Sequence, residues 1–80
     1  MSIDFERGVE ITGDLIESFY DRVAGYPSGV GGADDFPIEG PTGREEEIFH
    51  LVRQRIQARH PWVDLTLRPS GVISCAGLKP

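Results

Sequence analysis

Between Tyr26 and Gly43 the chain reads YPSGVGGADDFPIEGPTG, a stretch that holds five of its ten glycines and three of its six prolines. Each glycine enlarges the conformational entropy lost on folding, and each proline removes a backbone donor, so no helix can run through this segment. It divides the chain into two parts that must find each other across it. Reversal between two helices normally takes about 2–8 residues, and loops beyond about 12–15 residues in a compact domain are usually functional or disordered. The segment therefore reads as a displayed loop over 25–42. Within it Phe36 and Ile38 are spaced to anchor its middle on the core.

The flanks carry the regular structure. Residues 2–11 place Ile3, Phe5, Val9 and Ile11 at alternate positions, which predicts a half-buried strand interrupted at Gly8. Over 13–24, Leu15, Ile16, Phe19, Tyr20 and Val23 recur at helical spacing behind Thr12, a candidate cap. Gly25 and Pro27 end that helix. A second helix is predicted over 43–58. Thr42 with Glu45 has the spacing of a capping box, the glutamates crowd its start, and Arg53, Arg55 and Arg59 lie towards its end. Residues 62–78 then alternate around Arg68-Pro69-Ser70-Gly71 and predict a β-hairpin. The order β-α-loop-α-β-β gives an α+β domain over 1–80, with two helices on one face of a three-stranded, mostly antiparallel sheet. The loop between the helices suggests that they pair as an antiparallel hairpin.

With 80 residues the chain is one domain. A domain of this length buries only about 60–65% of its unfolded surface, so its stability is modest. The formal charge of −5 disfavours direct binding to nucleic acid, because phosphates repel an acidic surface. No apolar run approaches the roughly 20 residues of a membrane span. The opening MSIDFERGVE lacks the basic and apolar regions of a secretory leader. One cysteine, Cys75, cannot form an internal disulfide. These features together fit a cytoplasmic, reducing location. Seven of the eight basic residues are arginine, a usage that fits a GC-rich bacterial or phage coding sequence.

Candidate chemistry is sparse. SGVGGADD lacks the preceding strand and the immediately following helix of a phosphate cradle. Asp34, Asp35 and Glu39 do not have the spacing of a calcium loop. His50 and Glu46 stand one helical turn apart without a third ligand, and His60 lies at a helix end. Cys75 falls in an apolar strand, where a thiol behaves as a small hydrophobe. Arg55 and Arg59 face the same way and could grip a carboxylate or a phosphate. No catalytic, metal or cofactor site is assigned.

The remaining reading is an interaction module for a partner protein, with the size and charge of an inhibitor, immunity or adaptor protein. A basic surface on the partner would complement it. The contact residues are Tyr26, Asp34, Asp35, Phe36 and Glu39 of the loop, joined by Trp62. The alternative is an obligate homo-oligomer, such as a homodimer, that covers the free sheet face with a copy of itself. An enzyme or metal-binding protein with its site in the 26–43 loop ranks below both.

Overall fold

A computed structural model describes residues 3–80. The elements run α1 (Phe5–Ala24), β1 (Gly31–Pro37), α2 (Glu45–Arg59), β2 (Val63–Leu67) and β3 (Val72–Leu78). The expected class holds: two helices pack on a three-stranded antiparallel sheet. Two of the expected elements are different. The strand predicted over 2–11 is helical from Phe5 onward, and its first residue, Ser2, lies outside the described residues. The loop predicted over 25–42 holds the third strand.

The first difference has a clear cause. Phe5, Val9, Thr12, Ile16, Tyr20 and Val23 follow one helical stripe, and all six are buried or packed against the core. The period-two pattern of Phe5, Val9 and Ile11 was a short sample of that longer repeat. Asp4 caps the helix, its carboxylate accepting from the Arg7 N–H at 2.8 Å. Gly8 marks a close approach rather than a strand break: a Cβ there would collide with the backbone of Glu39 and Gly40. Thr12, read as the cap, is buried in mid-helix and accepts from the Glu39 N–H at 3.1 Å. For α2 the cap position falls on Arg44, which makes no side-chain cap bond, while Glu45 reaches back to the Gly43 N–H at 2.9 Å. The expected capping box does not form, since the Glu45 carboxylate bonds to Gly43 and not to Thr42.

The second difference arises at the turn before β1. The Val30 N–H bonds to the Pro27 carbonyl at 3.2 Å, with Gly29 at φ +88°, the requirement of a type II turn. Gly29 and Val30 then face Lys79 together, through Gly29 N–H to Lys79 O at 2.8 Å and Lys79 N–H to Val30 O at 3.0 Å. This glycine bulge launches β1 along β3.

The sheet order is β1-β3-β2. Both outer strands pair antiparallel with β3, so β1 and β2 are parallel to each other and α2 is the crossover between them. This is a split β-α-β unit with the last strand inserted in its middle. Because β1 carries the chain back, α1 and α2 run in the same direction, not as the antiparallel hairpin the loop suggested. Arg44 covers the Phe5 ring at one end, Arg55 meets Asp14 and Glu17 in the middle, and Arg59 meets Asp21 at the other end. α1 lies over β1 and α2 over β2. Between them sits a core that includes Ile16, Tyr20, Val52, Ile56, Val63 and Ile73, all fully buried.

The helix seam explains the paired arginines. Arg55 donates to Asp14 at 2.6 Å and to Glu17 at 3.0 Å, lying across Gly13, where a Cβ would crowd its guanidinium. Asp21 accepts from Arg59 at 3.2 Å and contacts Nε2 of the buried His60 at 2.7 Å. The bonds from His60 and Arg59 hold the Asp21 carboxyl below its usual range.

Two outcomes follow from this packing. Gly8→Ala destabilises the domain by about 1–3 kcal/mol despite alanine's better helix propensity, because backbone blocks the new methyl. Gly13→Ala is milder, since the Arg55 side chain can shift; urea unfolding of both variants measures the contrast. Asp21, with its pKa depressed on folding, stabilises the fold above the ordinary carboxylate pKa of about 3.9, and that contribution is lost as pH falls through the lower folded value. The melting-temperature gap between wild type and Asp21→Asn therefore closes on acidification below about pH 4.

Candidate partner interface

Side chains alternate across the strands. Phe36, Ile73, Cys75, Val63 and Leu65 point towards the helices and are buried. Ala33 and Asp35 of β1, Ser74 and Ala76 of β3, and Asp64 and Thr66 of β2 point the other way. The register aligns Asp35, Ser74 and Thr66 in one row and Ala33, Ala76 and Asp64 in the next. No element among the described residues covers this face. Its floor is made of small side chains on the central strand, and carboxylates stand on the strands to either side.

One network on the open face links β1, β3 and the turn between β2 and β3. The Ser74 hydroxyl donates to Asp35 Oδ1 at 2.7 Å and accepts from Arg68 Nε. Arg68 is the single cation of this network, while Asp64 stands exposed on the same face and Asp34 is exposed at the neighbouring edge. A shallow depression of about 520 Å³ spans the region and includes Asp35, Asp64, Thr66 and Ser74 in its lining. It shares Ala33, Asp64 and Ala76 with a groove of about 620 Å³ that continues to Trp62 and Leu78. Leu78 is 67% exposed, so the groove offers an apolar end to an otherwise acidic surface.

The six residues singled out in the sequence do not form one patch. Asp35 lies on the open face and Asp34 on its edge, where the Asp34 carboxylate accepts from the Asp35 N–H at 2.8 Å. Trp62 lines the groove, half-buried, with its ring edge-on to Tyr20 and His60. Tyr26 is exposed beyond the end of α1. Glu39 is partly buried and tied through its N–H to Thr12. Phe36 is buried, 6% exposed, and packs edge-on against Phe19, so it anchors the segment and presents nothing to a partner. Ser74, Ala76, Asp64 and Thr66 were missed. Their signal was the polar or small residue at alternate places in the hairpin, which marks an outward face only once the covered face is known.

The other chemical candidates fall into structural roles. Cys75 is buried, and its thiol is pushed up to about 12, first by burial and then by Asp35 and Asp34. The Tyr20 hydroxyl, raised mainly by burial, donates to the Gly32 carbonyl at 3.0 Å. His50 stands 3.8 Å from Glu46 on the exposed side of α2. Among the described residues no group of three or more His, Cys, Asp or Glu is placed to hold a metal ion. No described helix is long and apolar enough to cross a membrane.

No family model, curated protein or solved structure matches this chain.

The buried thiol gives a direct check on this packing. Cys75 should label with a thiol reagent at pH 8 only as fast as the domain opens, so urea accelerates labelling in step with unfolding. Because the unfolded thiol ionises near about 8.5 while the folded one stays protonated, stability should also fall as pH rises through that value.

Proposed function

We propose that this protein is a small acidic binding module that acts on a partner protein through the open face of its sheet, in the manner of an inhibitor, immunity or adaptor protein in the cytoplasm. The observation that carries this reading is the uncovered face itself. Both described helices lie on the other side, and the exposed side presents a flat floor of Ala33, Ser74 and Ala76 with Asp35 and Asp64 beside it. Small side chains let a partner approach the backbone closely, and the flanking carboxylates select a partner of opposite sign.

The same charges argue against a homodimer built face to face. Two copies stacked on this face would bring Asp35 and Asp64 against one another, and like charges brought together at an interface are unfavourable. A basic protein removes that conflict.

A photoreactive residue at Ala33 tests the proposal in cells. It should crosslink a partner rich in Lys and Arg, and the uncrosslinked complex should dissociate as salt shortens the Debye length to about 3 Å near 1 M. Ala76→Arg should reduce capture by about tenfold or more, the size expected for a misplaced charge at an interface. Gln54→Lys, on the exposed side of α2, should leave capture intact. Equal capture by the Ala76 and Gln54 variants would remove the open face as the binding surface.

A further inference from the structure

The two edges of the sheet are not equivalent. In an antiparallel ladder, alternate residues turn both backbone groups inward or both outward. The Ile38 N–H bonds to the Gly71 carbonyl, and with the β1–β3 register this turns Ala33, Asp35 and Pro37 outward. Pro37 has no donor, and the Asp35 N–H is already held by the Asp34 carboxylate. Proline and charge at an edge are devices that block pairing.

On β2 the Arg68 N–H bonds to the Val72 carbonyl at 2.8 Å, and the register then turns Val63, Leu65 and Leu67 outward. Val63 is satisfied locally: its N–H bonds to His60 O at 3.1 Å and its carbonyl accepts from Gln57 at 3.0 Å. The outward groups of Leu65 and Leu67 have no partner among the described residues. They border a groove of about 360 Å³ whose other wall is Glu46, Phe49, His50 and Arg53 of α2. Phe49 and Leu65 give it an apolar floor. Arg53 is exposed and makes no ion pair among the described residues, unlike Arg55 and Arg59.

We propose that the β2 edge, beside α2, is a strand-addition site that takes an extended segment of a partner protein with alternating apolar residues and an acidic residue against Arg53. Backbone bonds to Leu65 and Leu67 hold such a segment, and the groove reads its alternate side chains. The occupant is not a second copy. Because α2 lies over β2, pairing two β2 edges would place two α2 helices about one strand spacing apart, ~5 Å, where packed helices need about 8–10 Å. An extended segment without a helix above it avoids that clash. This site is separate from the open face and stands or falls without it.

Amide hydrogen exchange on the free chain is the first measurement. Leu65 and Leu67 should exchange far faster than Asp64 and Thr66, whose N–H groups face β3. A phage-displayed library of linear peptides, selected on the full chain, should then enrich alternating apolar sequences carrying Asp or Glu. The best of these, synthesised with a fluorescent label, should slow exchange at Leu65 and Leu67. It should bind about tenfold more weakly to Arg53→Glu, the effect of replacing an attraction by a repulsion, and equally well to Ala76→Arg. Slow exchange at both leucines in the free chain would overturn the proposal. So would a selection without enrichment, or peptides that leave those two amides unchanged. Protection that rises with protein concentration, with doubled mass in light scattering, would put a second copy at the edge and overturn it as well.

Discussion

Everything in this fold depends on β3 being shared by two strands that lie on either side of α2 in sequence. The last strand enters between β1 and β2 and hydrogen-bonds to both. Without it the two parallel strands would have no common partner, and α1 and α2 would have no continuous surface to cover. Ile73 and Cys75 on its inner side are buried, so β3 also supplies the floor of the core. A short chain with modest burial is thereby closed by its final residues.

The second constraint is the seam between the helices. Two helices side by side in the same direction do not gain from antiparallel dipoles, and here charged side chains align them instead. Arg55 and Arg59 take three carboxylates of α1, and His60 adds a contact to one of them. Each of these pairs is partly exposed and individually modest. Together with the close approach of Arg55 to Gly13 they set the register of α1 on α2, which in turn sets how much of each sheet edge is covered.

The edge and the face follow from that register. α2 over β2 creates a flank groove beside free backbone groups, while α1 over β1 leaves an edge already blunted by Asp34 and Pro37. The other side of the sheet receives no helix from the described residues. Its exposed side chains are small residues on the central strand and carboxylates on the strands beside it.

Much of this was written in the local sequence. The stripe of α2, the turn at Arg68–Gly71 and the alternation of the last two strands are short-range patterns, and they determined the class of the domain because periodicity and turn chemistry act within a few residues. What the sequence could not decide were properties set by distant partners. Residues 5–11 fit two periods at once, and only burial against the core chose the helical one. Gly31–Pro37 has poor strand propensity and became a strand because β3 offered it a ladder. The role of Asp35 as a surface residue and of Phe36 as a core residue differs by one step along a strand, and a single residue step exchanges the two faces of a sheet. That choice belongs to the packing of helices on one side, so only the tertiary structure could make it.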